Sequence, residues 1–129
     1  MPKFRQWTDR CSINVALAPV SKSAGTTTSS AIDLTGYQSG VLIVNAGVIG
    51  SSGTIDCKVQ SSATSGGTYA DITGASITQM TQAGSHSGTS QAVNFELTAG
   101  KPFVKTVLVN ATAAAIQGVF IIADQDNRT

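Results

Sequence analysis

His86 is the single histidine of the chain, and a histidine is the first residue to ask about for general acid–base or nucleophilic chemistry. It lies in "AGSHSGTS", residues 83–90, among serines that complete a Ser–His–acid set on paper. No Gly-x-Ser-x-Gly turn accompanies it to present a nucleophile, so it reads as a solvated histidine in a flexible loop. The acids Asp33, Asp56, Asp71 and Glu96 are scattered, and no spacing pairs any two of them for catalysis. One histidine and two distant cysteines, Cys11 and Cys57, leave zinc without ligands at useful spacing. The cysteines read as two reduced thiols, since a lone pair makes no disulfide framework. "DQDN", residues 124–127, resembles the start of a calcium loop but lacks its glycine and its distant glutamate, and reads as a polar tail. The glycines of "SGGTYAD" precede no Lys-Ser or Lys-Thr and open no helix, so no phosphate loop is encoded. Aromatic residues make up 5% of the chain, too few for an obvious stacking platform. Trp7, Tyr37 and Tyr69 are expected to pack against the body of the protein rather than on a ligand. The expectation is a protein that is not an enzyme and uses no cofactor or metal.

Composition bounds what must position these residues. The chain has 129 residues, the size of one domain with a real core. It is 41% hydrophobic but only 12% charged, with a formal net charge of +1. Near neutrality without a basic run gives no electrostatic footprint for nucleic acid. No apolar run is long enough to span a bilayer, and Asp9 and the polar "RCS" interrupt any signal-peptide pattern. The expectation is a protein made in a cytoplasm and not exported by a signal. Its weakly charged surface suits a molecule that spends its working life against partners.

The element pattern is β throughout. Thr, a strand former, is abundant, Gly and Ser punctuate, and the usual helix material (Leu, Glu, Lys, Arg) is scarce. "INVALAPV" reads as a first strand, with Pro19 arguing for an edge position or a strand end. "SKSAGTTTSS" reads as a polar loop. "GVLIVNAGVIG", residues 40–50, is almost continuously apolar. That suits a strand buried on both faces, or one face in the core and the other in a subunit contact. "TIDCKVQ" alternates, with Ile55, Cys57 and Val59 inward. "GSSG", residues 50–53, reads as the hairpin turn between these two. "SITQMTQ" is a further strand, and "QAVNFEL" alternates with Val93, Phe95 and Leu97 inward. "FVKTVLVN" and "AIQGVFIIA" are strong strands, and "ATAA" between them reads as a second hairpin. The total is about seven or eight short strands, which predicts an all-β antiparallel β-sandwich or a jelly-roll-like small barrel. The expected organisation is an N-terminal arm over 1–12, one sandwich domain over 13–123 and a polar tail over 124–129.

One stretch resists the loop reading that its composition invites. "SSATSGGTYADITGAS", residues 61–76, is nearly all small and polar, yet holds Tyr69 followed by Asp71 and Ile72. In its context, "AIDLTGYQSGVLIVNAGVIGSSGTIDCKVQSSATSGGTYADITGA", it resembles a group of small virion proteins of tailed bacteriophages. That group places an Asp-x-x-Gly-aromatic turn before a buried apolar strand. A Gly-bounded turn and an alternating strand ending in Gln-x-Ser follow. Then come a Gly/Ser turn and a Gly-Thr-aromatic-x-Asp-hydrophobic element. The matching residues are Asp33, Gly36, Tyr37, Asn45, Gly47, Gln60, Ser61, Gly67, Thr68, Tyr69, Asp71 and Ile72. The likeness runs over residues 15–123. On this reading "TYADI" is a short returning strand, with Tyr69 lying over the sandwich edge and Ile72 entering the core.

The resemblance implies a structural role in the virion, nearest to head decoration (cement) proteins. These sit outside the capsid, often as trimers, and clamp neighbouring major capsid protein subunits; related small β proteins occur at the neck or tail. The implied partners are the major capsid protein and further copies of the chain as a homotrimer. The arm residues Lys3, Phe4, Arg5, Trp7 and Arg10 are candidates for the capsid contact, as two aromatic anchors among cations; a frayed terminus is the other reading. Val41, Leu42, Ile43 and Val44 are candidates for a protomer contact, or else an ordinary central strand. A carbohydrate-binding or adhesin-like β module is the alternative class.

Overall fold

A computed structural model describes residues 11–124. The candidate arm residues Lys3, Phe4, Arg5, Trp7 and Arg10 therefore lie outside the described residues, as does most of the polar tail. The β-branched and apolar runs form ten strands: β1 (Cys11–Lys22), β2 (Gly25–Thr28), β3 (Ile32–Asp33), β4 (Ser39–Ile49), β5 (Thr54–Ser62), β6 (Ala70–Ser76), β7 (Met80–Thr81), β8 (Ser90–Glu96), β9 (Phe103–Ala111) and β10 (Ala115–Asp124). They make two antiparallel sheets. One has the order β1-β10-β4-β8; the other has β2-β9-β5-β6, with β3 also on β9 and β7 also on β5. The expected all-β sandwich is what forms.

The strand count exceeds the expectation because β2, β3 and β7 are only four, two and two residues long. β2 also corrects the polar-loop reading of "SKSAGTTTSS". Its threonines are β-branched and suit an extended backbone, and they pair with Val107–Val109 of β9. Among the described residues β1 lies at a sheet edge, paired only with β10, and it is irregular between Val15 and Leu17 and between Leu17 and Val20. An edge strand with bulges is where a proline costs least, and Pro19 sits there as expected.

The two expected hairpins do not form. β4 and β5 lie in different sheets, and so do β9 and β10. The turns 50–53 and 112–114 each carry the chain across the sandwich. β4 then pairs with β10 in one sheet, and β5 pairs with β9 in the other, so the two crossing connections interlock. One bond joins the turns: Gly50 N–H donates to Ala114 O at 2.9 Å. Gly53 N–H donates to Gly50 O at 2.8 Å within the first turn. A short Gly/Ser turn serves a hairpin or a crossing equally well, and only the partner strands decide between them.

The core lies between the sheets. Leu42 and Val44 of β4, Ile55 and Val59 of β5, Val104 and Leu108 of β9, and Val119 and Ile121 of β10 are all fully buried. Cys57 joins them as a small apolar residue, and burial pushes its thiol up to about 12. Both cysteines are free. Phe95 is buried, while Val93 and Leu97 pack half-buried on the core. Three polar side chains interrupt this interior: Thr106 Oγ1, Asn110 Oδ1 and both amide atoms of Gln117 have no hydrogen-bond partner among the described residues. Gln117, 2% exposed, shares the inward face of β10 with Val119. An unpaired buried amide costs about 1–3 kcal/mol. Gln117→Met keeps the length and removes the amide, so it is expected to stabilise by about 1–2 kcal/mol. Urea unfolding checks this as a higher midpoint at unchanged slope; a lower midpoint would show that the amide is satisfied in solution.

Candidate interaction surface

The one histidine is structural. Thr81 N–H donates to His86 Nδ1 at 3.0 Å, so the ring nitrogen accepts from the backbone there. His86 N–H donates back to Thr81 O at 3.1 Å. Gly84 N–H donates to Thr81 Oγ1 at 2.8 Å, and Thr89 Oγ1 donates to His86 O at 2.6 Å. Ser87 Oγ accepts Ile49 N–H at 3.1 Å, tying the loop to β4. The "AGSHSGTS" segment is therefore a bonded loop stapled by a half-buried histidine. This corrects the reading of a solvated residue in a flexible loop. Its clustered Ser, Thr and Gly supply the short side chains and backbone turns that such bonds need. Among the described residues no three His, Cys, Asp or Glu side chains converge.

The outward face of β5 and β6 is polar, with Val107 and Val109 of β9 beside Lys58 and Asp56. Lys58 Nζ reaches Asp71 Oδ2 at 3.1 Å, Gln60 Nε2 donates to Asp71 Oδ1 at 2.8 Å, and Gln79 Nε2 donates to Asp56 Oδ2 at 2.8 Å. Tyr69 is half-buried beside this cluster. Its hydroxyl donates to Ser65 O at 2.8 Å, and Lys105 Nζ stands 4.6 Å from its ring centroid. The aromatic of "TYADI" thus ties down the small-residue loop that precedes β6. Ile72, two residues into β6 from Ala70, packs on the core, and Asp71 points outward to Lys58 and Gln60.

Two exposed carboxylates gain partners on folding. The amide of Gln60, and then Lys58, hold Asp71 below its ordinary value of 3.8. The Thr35 hydroxyl, and then the Thr35 backbone N–H, do the same for Asp33. A depressed folded-state value stabilises the fold above the ordinary value and is lost as pH falls through the folded one. The melting temperature is expected to drop from about pH 4 downward, and the Asp33→Asn, Asp71→Asn double variant should drop less. Parallel curves for the two proteins would show that these contacts contribute nothing.

The outward face of the four-stranded sheet is of another kind. Its central cross-strand rows run Ile13, Ile122, Val41, Asn94 and Val15, Phe120, Ile43, Ala92. Six of these eight side chains are large and apolar. Ile13 is 67% exposed and Val15 59%. β1 is inverted relative to an ordinary edge strand, with Ile13 and Val15 outward. Its alternate residues Ser12 and Asn14 lie on the other side, where Asn14 Nδ2 donates to Ser12 Oγ at 3.2 Å and to Ile121 O at 3.4 Å. Of the four residues singled out for a protomer contact, Val41 and Ile43 lie on this outer face. Leu42 and Val44 are 0% exposed and cannot reach a second subunit. Ile13, Val15, Phe120 and Ile122 escaped the sequence reading. The available signal was that "VLIV" and "VFII" are apolar in both phases of the strand repeat, and a sheet built on two such neighbours has two apolar faces. At one end of the face an open groove of about 550 Å³ runs between β4, β8 and β6, lined by Gly40, Val41, Gly74, Asn94, Phe95 and Glu96 among others. It gathers no set of charged groups that would select a small ligand.

No protein-family model matches the chain, and no curated protein matches it. Solved structures do. The PBSX exported protein XepA is similar over 100% of this chain and 41% of its own, with 11% identity and a TM-score of 0.66. The SPBc2 prophage-derived protein YomS is similar over 88% of this chain and 91% of its own, with 13% identity and a TM-score of 0.54. The VP2 subviral particle of infectious bursal disease virus is similar over 90% of this chain and 32% of its own, with 14% identity and a TM-score of 0.54. The chain thus spans well under half the length of XepA and of VP2. Outside viruses, the K1 cleaved adhesin domain of Lys-gingipain from Porphyromonas gingivalis is similar over 91% of this chain and 84% of its own, at 12% identity and a TM-score of 0.52. At such identities the likeness establishes the β-sandwich fold and leaves its use to be argued.

Proposed function

We propose that the protein is a structural component of a tailed-bacteriophage virion, and specifically a head decoration protein that attaches to the major capsid protein from outside. The observation that carries the reading is a single β-sandwich over the whole described chain. That fold is shared with a PBSX protein, an SPBc2 prophage-derived protein and a viral particle protein. The ordered motifs from Asp33 to Ile72 support it from the sequence side. The bonded His86 loop and the scattered, solvated acids favour a structural over a catalytic role.

The physical action is adhesion through number. A single contact between one subunit and the lattice is weak. Copies joined to one another turn each further contact into an intramolecular one and gain avidity without new chemistry. Binding only the mature lattice stabilises that lattice by linkage. Lys3, Phe4, Arg5, Trp7 and Arg10 are the proposed capsid clamp, pairing aromatic anchors with cations that meet acidic capsid residues.

Quantitative mass spectrometry of purified particles tests this reading. A copy number comparable to that of the major capsid protein supports decoration of the head. A ratio of a few per cent moves the protein to the neck or tail, and absence from particles overturns the virion role. Deletion of residues 1–10 should weaken capsid binding while the fold persists; unchanged binding removes the arm from the clamp.

A further inference from the structure

We propose that the outward face of the four-stranded sheet is a two-fold interface that receives a second copy of this chain, sheet against sheet. This inference does not depend on a virion role. It starts from the inversion of β1. Sliding a strand by one residue exchanges its faces. In β1 such a slip would bury Ile13 and Val15 and send Ser12 and Asn14 outward. The fold does the opposite and leaves Ile13 67% and Val15 59% exposed. These two extend a surface already made by Val41, Ile43, Phe120 and Ile122. The result is a continuous apolar sheet face, whereas the opposite face of the sandwich carries Lys58, Asp71, Gln60 and Lys105.

Charge and area select the occupant. The two central rows hold no charged residue, so two identical faces meet without burying an ion. Glu96 lies in the row at one end of the face, together with Ser39, Asp124 and Cys11; Asn45, Ser90 and Gly118 lie in the row at the other end. A two-fold axis between the sheets, perpendicular to the strands, lays β1 over β1 and reverses the strand direction. Glu96 of one copy then comes over the Asn45 and Ser90 end of the other, and the acids of the two copies stay apart. The same operation brings Ile122 over Phe120, Val41 over Ile43 and Ile13 over Val15. Strands about 4.8 Å apart, with outward residues about 6.8 Å apart along each, give about 30 Å² of flat sheet per position. Four strands by about four rows, the two central ones apolar and the end row with Glu96 forming part of the rim, cover about 500 Å² per copy. Two copies together therefore reach the roughly 1,000 Å² that a specific interface needs. Sheets stack face to face at about 10 Å, a distance that side chains of Ile, Val and Phe fill.

A two-fold contact of this kind makes dimers, and a three-fold ring would need a different surface. The test is light-scattering mass of the full chain after size exclusion over a range of concentrations. The expected mass is twice the 13.1 kDa of one chain. Ile43→Lys, at the centre of the face, and Ile13→Lys, at its exposed edge, should each weaken dimerisation by about tenfold or more. Ile13→Lys faces solvent in the single chain and should leave the circular dichroism spectrum unchanged. A wild-type chain that stays monomeric at every concentration overturns the proposal, as does an oligomer of any size that both variants leave intact. A trimer that the variants dissolve overturns the two-fold geometry. A monomer that dimerises only after removal of residues 1–10 overturns it too, by showing the chain's own arm as the occupant.

Discussion

Gly50→Val is expected to lower the unfolding free energy by about 2–4 kcal/mol, among the largest effects of any single glycine replacement in the chain. A Cβ at position 50 would stand 2.8 Å from Ala113 Cβ and 2.8 Å from Ala114 O. Neither is the far end of a flexible side chain, so relief requires the backbones of the two crossing turns to part. Overpacking of this kind costs about 1–3 kcal/mol. Parting also strains the Gly50–Ala114 bond, and a lost backbone bond adds about 0.5–1.5 kcal/mol. Gly66 is the control, since a Cβ there meets nothing within 4 Å. Gly66→Val should stay within about 0.5 kcal/mol of the parent. Equal destabilisation of the two variants in urea titrations would mean that the turns do not touch as described.

Leu42→Ala is expected to cost about 2–5 kcal/mol, because a fully buried leucine leaves both lost transfer energy and a cavity. Leu42 is 0% exposed and lies on the inward face of β4, between β10 and β8. Ile43, the next residue, points the other way. Ile43→Ala should cost the isolated fold much less, and its effect should grow with protein concentration, because the face it thins is the proposed interface. A concentration-independent loss at Ile43 equal to that at Leu42 would place both side chains in one core and contradict the two-faced sheet.

The sequence is legible here wherever one strand carries its own information. The alternation of "TIDCKVQ" places Ile55, Cys57 and Val59 inward, and "QAVNFEL" does the same for Phe95. Pro19 marks an edge because its missing N–H is felt by one neighbour only. What stays hidden depends on partners distant in the chain. Whether "GSSG" folds back or crosses is decided by β10 and β9, about sixty residues away in sequence. The alternation of "INVALAPV" by itself points Ile13 and Val15 toward the core, and the register with β10 sets the opposite phase. The His86 loop misleads for a related reason. Ser, Thr and Gly are the residues of mobile loops and also of loops held by short side-chain bonds. The outer apolar face was half visible, through Val41 and Ile43, and became whole only when β1 and β10 were laid beside them.

The placement of β10 has a consequence for the order of events during synthesis. It is the last of the described strands to leave the ribosome, and it lies between β1, the first of them, and β4. Until residues 115–124 emerge, β1 has no neighbour, and β4 keeps only β8. The four-stranded layer therefore cannot close before β10 has emerged, and the earlier strands wait with apolar edges open. Pairings so distant in sequence make for slow, late folding, and a waiting chain of this kind is prone to misassociation. A ribosome-bound chain stalled before residue 115 should accordingly be cut readily by protease, and one released in full should become resistant in a single step.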